Sequence, residues 1–86
     1  MKNLFKIPEG TICEEDQTNY AGMKRIILRF KNGNSISIIM GKLNYEGVRG
    51  FYEIMPDDKL GLLKNYIVGW LTAQDVNEYI EILSGN

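Results

Sequence analysis

The sequence predicts an α+β domain in which a small antiparallel β-sheet of three to five strands is packed by one C-terminal α-helix. Three observations predict it. Two segments of alternating apolar residues meet at Asn32 and Gly33, a third apolar segment ends near Pro56, and a capped pattern of helical period closes the chain. A length of 86 residues encloses one hydrophobic core, so residues 1–86 are expected to form a single domain.

Residues 1–22 carry the weakest pattern, and only a short strand near Thr11 to Cys13 is expected there. A β-meander is expected over residues 23–56. In residues 24–30, Ile26, Leu28 and Phe30 share one face of a strand, while Arg25, Ile27 and Arg29 share the other. Asn32 and Gly33 signal a hairpin into residues 34–40, where Ile36, Ile38 and Met40 again share a face. A two-residue Asn-Gly loop would set Arg29 against Ile36 and oppose apolar to polar faces. A three-residue loop of Lys31, Asn32 and Gly33, with Gly33 left-handed, sets Leu28 against Ile36 and Ile26 against Ile38. That register is the expected one.

Residues 41–50 read as a glycine-rich loop, and residues 51–55 as a strand ended by Pro56 and the turn residues Asp57 and Asp58. Between residues 60 and 70 a short strand is expected at Tyr66 to Val68. The helix is expected over residues 72–84. Thr72 is its N-cap, Asp75 the acid of a capping box, and Leu71 is placed to staple onto Val76. Val76, Tyr79, Ile80 and Leu83 follow the helical spacing, and Gly85 stands where a helix stops.

Composition narrows the function classes. Ten basic and eleven acidic residues give a net charge of -1, which argues against nucleic-acid binding through the phosphate backbone. Histidine is absent, which removes the usual general base and transition-metal ligand. No nucleophile, base and oxyanion constellation assembles from the rest, so the expectation is a protein that is not an enzyme and uses no cofactor. The lone Cys13 has no partner for an internal disulfide, and the acidic residues after it disfavour a reactive thiolate. A cytoplasmic setting is expected, since residues 1–8 are too short and interrupted for a signal peptide and no apolar run approaches a membrane span.

Glu14, Glu15 and Asp16, like Asp57 and Asp58, lack the spacing of a calcium loop and read as solvated loop charges, with no metal site expected. Tyr45, Arg49 and Arg29 are the expected anchors of a binding surface, and Arg25 and Trp70 are further candidates. Trp70, just ahead of a capped helix, reads first as core and otherwise as an aromatic contact surface beside Tyr66. Ile27 and Ile39 lie among the basic residues of the face opposite the core. Either the N-terminal segment or a second copy of the chain is expected to cover them.

From Phe30 onward the order of motifs resembles a family of small proteins encoded by bacteriophages and prophages. The resemblance rests on Phe30, Asn32 and Gly33 at the hairpin and Ser37 on the next strand. It continues through Tyr45, Gly47, Gly50, Tyr52 and Glu53 to Gly69, Trp70, Leu71 and Thr72 at the helix start, although Glu46 replaces the first glycine of that family's loop. It implies an accessory protein that acts by binding a host protein, including targets in host defence. The alternatives are an oligomeric sponge for a small anionic ligand such as a nucleotide, held between the glycine loop and the basic strand residues, and a structural component of a virion.

Overall fold

A computed structural model describes residues 4–16, 24–40, 51–63 and 66–85. Five strands, β1 (Ile12–Asp16), β2 (Arg25–Arg29), β3 (Ser35–Met40), β4 (Tyr52–Asp57) and β5 (Val68–Leu71), form one antiparallel sheet. They lie in chain order, so the sheet is a plain meander, and helix α1 (Ala73–Ser84) packs on one face of it. The fold is α+β, as the sequence predicts.

The hairpin between β2 and β3 takes the three-residue form. Gly33 has φ of +94°, its N–H donates to the Phe30 carbonyl at 3.1 Å, and the Phe30 N–H donates to the Asn34 carbonyl at 2.8 Å. Leu28 therefore faces Ile36 and Ile26 faces Ile38, the register that puts apolar side chains together. Those four residues are fully buried with Ile54 of β4 and with Val76 and Ile80 of α1. Each contributes roughly 1.5–3 kcal/mol through burial. Phe5 closes the same side, its ring edge-on to Tyr52 with centroids 5.2 Å apart. Burial pushes the Tyr52 phenol above its ordinary pKa.

Helix α1 starts where its signals place it. The Asp75 N–H donates to Thr72 Oγ1 at 3.1 Å and the Thr72 N–H donates to Asp75 Oδ2 at 3.0 Å, which completes the capping box. Gly85 ends the helix with φ of +81°.

Three boundaries differ from the sequence expectation. First, β1 runs on through Asp16 instead of stopping at Cys13, so Glu14 and Glu15 belong to a strand and not to a solvated loop. Pairing with β2 along its whole length explains this, because an edge strand tolerates acids on either face.

Second, Pro56 does not end β4, and Asp57 is part of that strand rather than a turn residue. Pro56 lies inside the strand, buried opposite Ile36. The Phe30 to Asn34 bond fixes the alternation of the ladder: Leu28 and Ile36 exchange bonds with each other, so Ile36 has none to offer β4. Pro56 nitrogen therefore points away from β3, past the point where β5 has ended, and its missing N–H breaks no ladder bond.

Third, β5 is Val68–Leu71 and not Tyr66 to Val68. Val68 and Leu71 both pack on the core, and the strand is set by those two contacts instead of by the aromatic at its start.

Candidate functional site

Helix α1 and residues 4–8 occupy the same side of the sheet. Phe5 is buried in the core, and the Lys6 backbone N–H donates to Asn77 Oδ1 of α1 at 2.8 Å. The expectation that the N-terminal segment covers Ile27 and Ile39 does not hold for residues 4–16, which lie against the helix or extend the sheet edge as β1. An open groove of about 660 Å³ is lined by Lys6, Ile7 and Pro8 and by Gln74, Asn77, Glu78 and Glu81 of α1.

The helix-free face is built by strand alternation. Ile26 and Leu28, Ile36 and Ile38, and Tyr52 and Ile54 turn into the core. Arg25, Ile27 and Arg29, then Ser35, Ser37 and Ile39, then Glu53, Met55 and Asp57 therefore turn outward. Ile27, Ile39 and Met55 are half-buried. Arg29 is exposed, as expected of an anchor, but it is engaged. Its Nε and Nη2 lie 3.0 and 2.9 Å from Glu14 Oε1 of β1. Arg25 is half-buried on the same strand, across from Ile39. Tyr45 and Arg49 lie outside the described residues.

The expectation that Trp70 belongs to the core is corrected. Trp70 is 73% exposed and has a left-handed backbone with φ of +61°. The cause is a β-bulge. Tyr52 pairs with Leu71 and Ile54 with Val68, so Glu53 alone faces both Gly69 and Trp70. Leu71 and Val68 both reach the core only because the chain takes up this extra residue, and Trp70 is the residue turned out by it. A bulky side chain at positive φ is an outlier that costs on the order of 1–3 kcal/mol.

The partner of Trp70 is Phe51, not Tyr66. The two rings meet edge to face with centroids 5.8 Å apart. Phe51 precedes the core residue Tyr52, so it falls on the opposite side of the sheet, and the pair forms the rim of the helix-free face along β5. Tyr66 and Ile67, 58% and 60% exposed, continue the same edge. Sequence reasoning missed Phe51 and Glu14. Alternation from Tyr52 was the signal for Phe51, and a glycine inside a strand pattern, Gly69, was the signal for the bulge.

Comparison with protein-family models, with curated proteins and with solved structures finds no match to this chain.

Proposed function

We propose that this chain is a non-catalytic binding protein that docks on another protein through the aromatic rim formed by Trp70 and Phe51. The observation that supports this reading is the conformation of Trp70. A large aromatic that is mostly exposed adds little to the stability of its own fold, and here it also carries a strained backbone. Strain of that kind gathers at sites of function, and tryptophan leads the residues that anchor protein interfaces. The resemblance to small phage and prophage proteins makes a host protein the expected partner.

The test compares capture and affinity. The wild-type chain and Ile82→Ala, altered at an exposed helix residue, should retain the same protein from a bacterial lysate. Trp70→Ala and Phe51→Ala should lose it. Calorimetry on the purified partner should show Trp70→Ala weaker by about 2 kcal/mol, roughly thirtyfold in Kd. Equal affinity of wild type and Trp70→Ala would sink the proposal.

A further inference from the structure

The helix-free face repeats one pattern on two of its strands. On β2 it presents Arg25, Ile27 and Arg29, and on β4 it presents Glu53, Met55 and Asp57. The register sets these in step across β3, with Arg25, Ile39 and Glu53 in one row, Ile27, Ser37 and Met55 in the next, and Arg29, Ser35 and Asp57 in the third. Base, apolar, base therefore lies parallel to acid, apolar, acid. Two strand spacings, about 9.6 Å at the backbone, separate the basic column from the acidic one.

We propose that a second copy of the chain covers this face, sheet against sheet, about a two-fold axis that runs close to parallel with β3. Such an axis carries β2 of one copy over β4 of the other with the rows still in step. Arg25 meets Glu53, Ile27 meets Met55 and Arg29 meets Asp57, and symmetry makes each contact twice. Ser37 meets its own copy on the axis, where a small side chain lets sheets approach to about 10 Å. An axis perpendicular to the strands brings arginine over arginine and acid over acid, so the pattern selects one arrangement. The ion pair with Glu14 occupies Nε and one Nη2 position of Arg29, and a guanidinium has further N–H donors to offer. The same two-fold lays β1 of one copy over the β5 edge of the other, beside the Trp70 rim, so the test reads self-association of the purified chain, which does not depend on the partner of the proposed function.

The face measures five strand spacings of about 4.8 Å by strands about 17 Å long, a footprint near 400 Å² per copy before side-chain relief. At about 800 Å² in total that lies below the range of stable interfaces, so the expected dimer is a weak, transient one.

Sedimentation equilibrium from about 10 μM to about 1 mM tests it, with circular dichroism to show that each variant is folded. The wild-type chain should dimerise, and less tightly at high salt. Ser37→Arg, which sets two charges together on the axis, should be monomeric. Glu53→Arg and Arg25→Glu should each weaken the dimer at least about tenfold, and their combination should restore most of the loss. A wild-type monomer at the highest concentration overturns the inference. So does a dimer that survives Ser37→Arg, as one joined through the β1 or β5 edge would, or a charge swap that restores nothing.

Discussion

Asn32 and Asn34 both donate from their side-chain amides to the carbonyl of Leu83, each at 2.8 Å. The last turn of α1 has no basic residue, so the two amides do what a lysine or arginine often does at a helix C-terminus. Asn34 also accepts the Lys59 N–H at 2.9 Å, and so joins the hairpin, the helix end and the turn after β4 at one side chain. Asn34→Ala should therefore lower stability by about 1–2 kcal/mol, because it leaves a half-buried N–H and one lone pair of a carbonyl to find water. Asn34→Asp should cost at least as much at neutral pH, since it places a carboxylate against the negative helix end. Urea midpoints of the two variants check both statements.

Trp70 supplies a second prediction, about backbone strain. Trp70→Ala and Trp70→Gly both remove the ring and its contact with Phe51, so the difference between them reports the backbone alone. Glycine adopts φ of +61° without a clash and alanine does not. Trp70→Gly should be the more stable of the two by about 1–2 kcal/mol. Equal midpoints in chemical denaturation would show that the bulge relaxes once the ring is gone.

Tyr52 makes the stability of the fold sensitive to alkaline pH. Its phenol is buried among Phe5 and the core, which favours the neutral form and raises the folded-state pKa above the ordinary value of 10.0. The unfolded chain then loses its proton first as pH rises. Stability is fully present below pH near 10 and falls as pH climbs from there through the folded pKa. Tyr52→Phe removes this titration, so its stability should fall less between about pH 8 and 11 than that of the wild type. Paired denaturation curves at the two pH values decide it.

Much of this fold was legible because local signals agreed with one another. The hairpin register followed from the faces of Ile26, Leu28, Ile36 and Ile38, and the helix start followed from Thr72 and Asp75. What stayed hidden depended on distant partners. The acids of β1 look like loop charges until β2 pairs with them, and Glu14 gains its meaning from Arg29 fifteen residues on. Trp70 reads as core from its place before the cap, yet the core contacts go to Val68 and Leu71, and the bulge between them turns the ring outward. Of the expected anchors, Arg25, Arg29 and Trp70 share the helix-free side, the first two on its central strands and Trp70 at its rim.

Pro56 gives the last prediction, because it tests the alternation of hydrogen bonds on β4. Met55 faces Ser37 as a bonded pair, whereas Pro56 faces Ile36 as an unbonded one, with its nitrogen turned toward the side that β5 leaves open. Pro56→Val should keep most of the buried contact and cost about 1 kcal/mol. The amide created by that substitution meets no strand among the described residues and is slowed by burial alone, so it should exchange faster than the Met55 amide, which a ladder bond protects. An amide at position 56 as slow as that of Met55 would mean that β5 reaches further back toward Tyr66. The chain before Val68 would then be strand after all, and the edge beside Trp70 would offer a partner a longer run of backbone.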